Sequence, residues 1–265
     1  MGVMNMHTII YYIREYFFPN GCGGCGVALM TAEDSMNGLC VKCRALFESA
    51  FSDCKRCAYC GKYLISEKST CLFCRKNEEN EKEQYSDQLI KIHSSFPYMG
   101  NYKRVLSAYK FGKSLGIGNF LSGFFPRALL ELGISTGDLG PAALSKTAEG
   151  SSPCVCAWVP VPPRPGKIRK QGWDQVEFLA KQLETRHRQK VSRCLKRLPS
   201  RSQKELNRDE RGSNLKGRII CVKPPPKTAI LFDDVITTGA TLAACAKALL
   251  DGGTEKVYGV CLFYD

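Results

Sequence analysis

Four pairs of cysteines with the spacing Cys-x-x-Cys lie in the first 75 residues and constrain the fold more than any other feature. They form two repeats of two pairs, with fourteen residues between the pairs of the first repeat and ten between those of the second. Each repeat offers four thiolates from two tight turns, the ligand set of a tetrahedral structural zinc site. We therefore predict two zinc ions in a tandem zinc ribbon. The predicted ligands are Cys22, Cys25, Cys40 and Cys43 in the first repeat and Cys57, Cys60, Cys71 and Cys74 in the second.

Other interpretations of these cysteines stay open, because buried structural thiols or a redox pair would also use them. Cys54 belongs to neither quartet, although Cys54-x-x-Cys57 is a competing pair. Gly26 and Gly61 follow the first pair of each repeat, where a Cβ would crowd the turn of the backbone amides toward sulfur. A small ribbon has too little core to fold without metal, so we expect closed, structural sites.

The N-terminal segment does not have the features of a targeting signal. Arg14 and Glu15 interrupt its apolar part, and no small-residue cleavage site follows. The apolar residues from Ile9 to Phe17 have helical spacing, which predicts a short amphipathic helix that ends at Pro19. No apolar run approaches the roughly 18–20 residues of a membrane span. We expect a cytoplasmic protein without membrane insertion, and in that reducing compartment fifteen cysteines argue against a disulfide framework.

The positive charge is concentrated in the second half of the chain. The formal net charge is +13, and residues 186–218 carry twelve Lys or Arg against three acids. A smaller cluster consists of Arg164, Lys167, Arg169 and Lys170. Such runs are either solvated surface or the binding surface of a polyanion or a phosphate-rich ligand, and the sequence leaves both interpretations open.

The charged stretch after Cys74 reads as a linker or a solvated helix, so we divide the chain into domains 1–80 and 81–265. The second domain ends in a strand–helix–strand pattern, TAILFDD, ATLAACAKALLDGG and KVYGVCLFY. This pattern predicts a mostly parallel sheet flanked by helices. We also predict a strand near residues 94–100, a buried strand at 154–162 and a helix around 176–183.

The segment ILFDDVITTGATL, residues 230–242, combines a buried strand with a ligand-binding pattern. If residues 229–232 form the strand, Asp233 and Asp234 lie at its carboxyl edge, where open α/β sheets bind ligands. A turn into a helix follows, and its backbone amides, threonine hydroxyls and Gly239 predict an anion site. The carboxylates need hydrogen-bond donors or a metal ion instead. A sugar with a terminal phosphate satisfies both requirements.

Two other interpretations of this segment are available. A hydrophobic strand followed by two aspartates also describes the Walker B element of a nucleotide hydrolase, which requires a phosphate-binding loop. The best candidate loop ends in Gly112-Lys113-Ser114, but Ser107 stands where the first glycine belongs. The segment could also be an ordinary strand end with capping threonines.

The segment resembles the phosphoribosyl pyrophosphate (PRPP) signature of type I phosphoribosyltransferases. The resemblance implies that Asp233 and Asp234 contact the ribose hydroxyls and that Mg²⁺ bridges pyrophosphate and ribose. It also implies that the loop holds the 5′-phosphate through Thr237, Thr238, Gly239, Ala240 and Thr241.

The order of motifs along nearly the whole chain resembles the ComF family of competence-associated proteins. Tandem zinc ribbons are followed by YKFGKSL, VPVPPRPGKIRKQGWDQVEFLA, QKELNRDERGSNLKG and the PRPP signature. In the stretch that matches the family's RGFNQ pattern, only Gly172 and Gln175 agree with the pattern. Further along the chain, Ser200 stands where the family has a threonine ahead of its Q-x-x-L segment. The resemblance implies a mobile loop that supplies cations to pyrophosphate or nucleic acid. The candidates are Arg201, Lys204, Arg208 and Arg211, together with Lys110 and Arg164 from earlier segments.

Two functions follow from this resemblance. The first is handling of transforming single-stranded DNA, with a PRPP pocket used for sensing and a DNA-translocating helicase of the competence machinery as the partner. The second is a catalytic phosphoribosyltransferase that uses PRPP and Mg²⁺, for which no base-recognition segment is evident. Candidate aromatic residues for stacking on DNA bases are Trp173, Tyr59, Tyr63 and Phe73, which equally fit small-core roles.

Overall fold

The computed structural model describes residues 21–52, 55–58, 60–64, 67–72, 74–75, 91–134, 156–199 and 217–265. These residues form two compact units, one within Met1–Asp53 and Met99–Leu121 and the other within Cys54–Tyr98 and Ser122–Asp265. The predicted N-terminal helix and the predicted domain boundary near residue 80 lie outside the described residues.

The first unit contains helices α1 (Ala32–Asn37), α2 (Val41–Ser52), α3 (Gly100–Lys110) and, apart from its last residue, α4 (Leu115–Ser122). Helix α1 begins where the Thr31 hydroxyl accepts a hydrogen bond of 3.0 Å from the Asp34 amide. The ring of Phe47 lies edge-on to those of Tyr102 (4.9 Å) and Phe120 (5.6 Å), which joins α2 to α3 and α4. Aromatic contacts therefore supply much of this small core.

The second unit holds the strands β1 (Lys91–Pro97), β2 (Cys156–Pro160), β3 (Leu195–Arg197), β4 (Ile219–Cys221), β5 (Thr228–Ile236) and β6 (Lys256–Tyr264). Its helices are α5 (Phe124–Leu132), α6 (Lys167–Gln171), α7 (Gln175–Thr185) and α8 (Ala240–Asp251). Four strands form one sheet in the order β1-β6-β5-β2, with every neighbouring pair parallel. The prediction of a mixed α/β fold with a parallel sheet flanked by helices is confirmed at this level.

Alternating side chains of the central strands fill two cores, one on each face of the sheet. On one face, Trp158 and Phe232 pack edge-on against Phe125 of α5, with ring centroids 5.2–5.8 Å apart. On the other face, Val159 and Leu231 belong to a buried cluster that includes apolar residues of α8. Successive strand residues point to opposite faces, and burial of both faces explains the continuous apolar run of β5.

Strand β5 is longer than the sequence predicts, because its pairing with β6 continues to Ile236 opposite Tyr264. Asp233 and Asp234 therefore lie inside the strand, and not directly after a strand that ends at residue 232. On its other side, β5 loses its partner earlier, since β2 ends at Pro160 opposite Phe232. The two acids thus lie beyond the end of β2 while still paired with β6.

Strands β3 and β4 form a separate antiparallel pair with Leu195 opposite Cys221. Buried Leu195 and Ile219 of this pair join the apolar cluster on the α8 face of the sheet. Among the helices that the structure describes, the longest have 12 residues, and none is long and apolar enough to cross a membrane.

Candidate functional site: two cysteine quartets and an acid–arginine site

The eight predicted zinc ligands assemble into two separate quartets. Within each quartet, the four sulfur atoms lie within 4.8 Å of one another. Cys25 Sγ is 3.7 Å from Cys40 Sγ, and Cys60 Sγ is 3.6 Å from Cys71 Sγ. Tetrahedral zinc with Zn–S bonds of about 2.3 Å separates its sulfur ligands by about 3.8 Å. Both quartets are therefore compatible with structural zinc sites.

The first pair of each quartet is held in the same backbone turn. The Cys22 amide donates to the Val27 carbonyl (2.7 Å) and the Cys57 amide to the Lys62 carbonyl (2.8 Å). Each turn closes with an antiparallel bridge, Gly21 to Ala28 and Arg56 to Tyr63. The two repeats in the sequence thus produce two repeats in structure.

The first cysteine of each quartet is placed to ionise. The Cys40 amide donates to Cys22 Sγ (3.3 Å), and the Cys71 amide donates to Cys57 Sγ (3.4 Å). Burial raises the pKa of Cys22, but the amides of Cys25, Cys40 and Gly24 outweigh it and lower the pKa to about 6. Hydrogen bonds from the thiols of Cys60 and Cys74 lower the pKa of Cys57. Thiolates are the form that binds metal.

The second quartet is fastened to the edge strand β1. Ser94 Oγ donates to the Cys60 carbonyl (3.0 Å), and the Arg56 guanidinium donates to the Ser94 and Ser95 carbonyls (3.3 Å to Ser95). Gly61 has φ +68°, and a Cβ placed there would lie 2.5 Å from the Ile92 carbonyl oxygen. The described buried residues around this quartet are the four cysteines and Leu64, so its core depends on the metal.

Asp234 is a buried acid held by a chain of polar contacts. It is 4% exposed, and its Oδ2 accepts a hydrogen bond of 2.6 Å from Gln175 Nε2. Lys167 donates to Gln175 Oε1 and forms a 2.6 Å ion pair with Asp174. Asp174 caps α7 by accepting from the amides of Val176 and Glu177. The first turn of α7 therefore fixes the donor that meets Asp234.

Asp233 is on the other face of β5, beside a group of arginines. Its Oδ1 accepts a hydrogen bond of 2.8 Å from the Asp234 amide. Burial lowers the pKa of Arg197, nearby Arg164 and Arg218 lower it further, and Asp233 opposes them. These guanidiniums come from the loop after β2, the end of β3 and the residue before β4. Like charges held together in this way favour binding of an anion between them.

The turn after β5 leads into the N-terminus of α8. Thr237 and Thr238 are exposed, whereas Gly239 is buried with φ +77° and caps α8 without a side-chain hydrogen bond. Ala240 and Thr241 form the first turn, where helical amides have no partner within the helix. These amides and the positive end of the helix dipole form an anion-binding arrangement. The left-handed conformation of residue 239 favours glycine there.

Strands β2 and β5 are neighbours in the sheet, so the loop that follows β2 and the turn that follows β5 leave the same edge of the sheet. An open surface cavity of about 390 Å³ lies along this loop. The cavity is lined by Pro163, Arg164, Pro165, Gly166, Ile168 and Arg169. Loops at the carboxyl ends of adjacent parallel strands are where ligands bind in open α/β sheets.

The second unit brings the predicted site residues Asp233, Asp234, Arg164 and 237–241 to one edge of its sheet. Lys110 belongs to the first unit, at the end of α3. The remaining predicted cations, Arg201, Lys204, Arg208 and Arg211, lie outside the described residues, as do Cys54, Tyr59 and Phe73.

Four residues at this edge were not among the predicted site residues: Lys167, Gln175, Arg197 and Arg218. Lys167 was named only as part of a basic cluster, and the two arginines only as part of the basic segment 186–218. Gln175 was noted in the sequence only because it agrees with a family motif. A prediction of strands at 195–197 and 219–221 would have placed Arg197 at the end of one strand and Arg218 directly before the other. In the first unit, Gly112-Lys113-Ser114 follows helix α3, not a strand as a Walker loop requires.

No family model matches the chain, and no curated protein matches it.

Proposed function

We propose that the second unit binds PRPP together with Mg²⁺, as the resemblance to type I phosphoribosyltransferases implies. The observation that carries the proposal is the combination of two acids, three arginines and the N-terminus of helix α8 at one edge of a parallel sheet. A neutral sugar would not need the arginines, and inorganic phosphate would not need the acids.

Each part of the ligand finds a complementary group in this arrangement. The 5′-phosphate accepts hydrogen bonds from the amides at the start of α8, where the helix dipole favours negative charge. Asp233 and Asp234 accept from the ribose hydroxyls and help to hold Mg²⁺, which prefers oxygen ligands. Arg164, Arg197 and Arg218 face the pyrophosphate, whose charge reduces their mutual repulsion.

The test is ligand-induced thermal stabilisation of the native, zinc-loaded protein. A ligand at 100 times its dissociation constant stabilises the state it binds by about 2.7 kcal/mol. We expect PRPP with Mg²⁺ to raise the melting temperature more than ribose 5-phosphate or pyrophosphate alone. The double variant Asp233→Asn and Asp234→Asn should lose this shift. Asp251→Asn, an exposed acid-to-amide change in α8, serves as the control. An unchanged shift in the double variant would contradict the assignment of the acids.

We further propose that the protein handles single-stranded DNA in the cytoplasm, as a member of the ComF family would. The resemblance carries this proposal, and the net charge of +13 with its basic 186–218 segment supports it. A DNA-translocating helicase of the competence machinery is the proposed protein partner. Binding of an oligonucleotide should weaken steeply with salt, with a slope of about −0.7 per phosphate contacted on log–log axes. An affinity that does not change with salt would argue against it.

The catalytic alternative is glycosyl transfer from PRPP to a nitrogen nucleophile. Arginines beside the pyrophosphate would stabilise the charge of the leaving group, and bound Mg²⁺ would do the same. Release of pyrophosphate is measured with a panel of free bases, with and without DNA. Turnover on a base supports an enzyme of nucleotide metabolism, and binding without turnover supports a sensor.

A further inference from the structure

Helix α3 of the first unit presents one aromatic ring to solvent. Val105, Leu106 and Tyr109 are fully buried on its inner side. Phe111, which ends the helix, is 79% exposed, more than any other large hydrophobic residue that the structure describes. The phenyl ring therefore keeps most of its surface in contact with water.

Helix geometry explains which residues surround this ring. The Phe111 amide donates to the Ser107 carbonyl (2.9 Å), so the helical path continues to this residue. Residues seven positions apart lie on the same side, about 10.5 Å apart along the axis. Arg104 is therefore aligned with Phe111, and Lys103 with Lys110. Lys103 and Arg104 are exposed, so the outer side of α3 carries cations around one aromatic ring.

The backbone after Phe111 holds the ring at an outer corner. A Cβ on Gly112 would lie 2.6 Å from the Ala108 carbonyl oxygen, so the chain turns tightly here. Lys113 follows with φ +51°, a left-handed conformation that is unfavourable for a non-glycine residue. Such strain is concentrated at functional positions, and here it places the exposed Lys113 next to the ring.

The first cysteine quartet supports this surface from the inside. A Cβ on Gly23 would lie 2.5 Å from Ile117 Cδ1 and 3.1 Å from Ala108 Cβ, so the knuckle meets α3 and α4 without a gap. The Tyr102 hydroxyl donates to the Leu46 carbonyl (3.3 Å), which fastens α3 to α2 as well. The inner side of α3 is therefore fixed.

The charge on this part of the chain has one sign. Residues 99–121 include Lys103, Arg104, Lys110 and Lys113 and no acid. Exposed cations flank the ring along the chain, at Arg104 and Lys113. A ring among cations complements a ligand that has flat bases and a phosphate backbone.

We propose that Phe111 is a stacking platform for a base of single-stranded nucleic acid, with Arg104, Lys110 and Lys113 contacting the phosphates on either side. The proposal rests on the DNA-handling function and adds a binding surface in the first unit, apart from the acid–arginine site. Every base has a flat aromatic face that can stack on the ring, so the platform gives affinity without sequence preference.

The experiment compares two probes of about 20 residues. One is oligothymidylate, and the other is an abasic strand with the same phosphates and no bases. Anisotropy titrations use the zinc-loaded full chain. Stacking on one aromatic residue is worth about 1–3 kcal/mol, so Phe111→Ala should weaken oligothymidylate binding about 5- to 150-fold. Binding of the abasic strand and the salt slope should not change, and Phe111→Trp should retain the affinity with its fluorescence quenched. Met30→Ala, which alters another exposed apolar residue of the same unit, is the control.

The outcomes separate the platform from the function on which it rests. If the wild-type protein binds neither probe, the DNA-handling function fails and the platform fails with it. If the wild type binds and Phe111→Ala binds equally well, the platform alone is refuted. Equal weakening on both probes also refutes stacking, because the lost contact would then not involve bases.

Discussion

Gly26 and Gly61 occupy the same position in the two cysteine repeats but have different surroundings. The pair therefore permits a matched test of how the second quartet is attached to strand β1. Both follow the second cysteine of the first pair, with φ +80° and +68°. A Cβ on Gly26 would meet nothing within 4 Å. A Cβ on Gly61 would lie 2.5 Å from the Ile92 oxygen, 2.7 Å from the Ser94 nitrogen and 2.8 Å from the His93 Cα.

The expected cost of each substitution follows from these distances. A left-handed alanine costs about 1–2 kcal/mol, and Gly26→Ala should cost no more than this. The atoms that Gly61→Ala would meet are backbone atoms of β1, which pairs with β6 and cannot shift alone. The knuckle must move instead, which breaks the Ser94–Cys60 bond and weakens those of Arg56. The left-handed alanine costs about 1–2 kcal/mol, the neutral bond about 1 and a charged bond about 1.5–3, so Gly61→Ala should cost about 3.5–6 kcal/mol.

Urea denaturation of the zinc-loaded variants measures the loss of stability, and hydrogen exchange of the segment 91–97 locates it. We expect faster exchange of β1 amides in Gly61→Ala and unchanged exchange in Gly26→Ala. Equal losses of stability in the two variants, or unchanged exchange in β1, would refute the attachment of the knuckle to the strand.

Three further predictions concern the metal, the acid site and the pH dependence. Elemental analysis should find about two zinc atoms per chain, and a strong chelator should lower the melting temperature. Gln175→Glu should weaken PRPP binding at least tenfold in calorimetry, because a second carboxylate would replace the amide that donates to Asp234, while Gln182→Glu on the same helix should not. Burial, helped by Arg56 and Lys91, lowers the pKa of His93 from 6.5 to about 3. Between these pH values only the unfolded chain binds the proton, so stability should fall on acidification by about 1.4 kcal/mol per pH unit. His93→Gln should remove this part of the slope in denaturation series from pH 7 to pH 5.

The sequence predicts the elements whose signals are local. Metal-ligand spacing identifies both cysteine quartets, and the strand–helix–strand pattern at the C-terminus identifies β5, α8 and β6. It misplaces the end of β5, because that end depends on pairing with β6 through residue 264, and no pattern within 230–242 contains this information.

The site residues that sequence reasoning missed act across long separations. Gln175 meets Asp234 from 59 positions away, and this contact exists only once α7 packs on the sheet. Arg197 and Arg218 belong to a basic segment in which each cation looks equivalent. The antiparallel pairing of β3 with β4 distinguishes them, because it places Arg197 opposite Ile219, which follows Arg218 in the chain.

The two acids of β5 are not equivalent, and their difference restricts where a shared ligand can lie. Consecutive strand residues point to opposite faces, so Asp234 faces Gln175 on the α7 side and Asp233 faces Arg197 on the α8 side. A ligand that contacts both must cross the edge of β5, which is open only where β2 has ended at Pro160. Asparagine retains an acceptor oxygen for the Gln175 amide and for the backbone amide of residue 234. Loss of binding in the double asparagine variant would therefore report the missing negative charge, and not a disrupted strand.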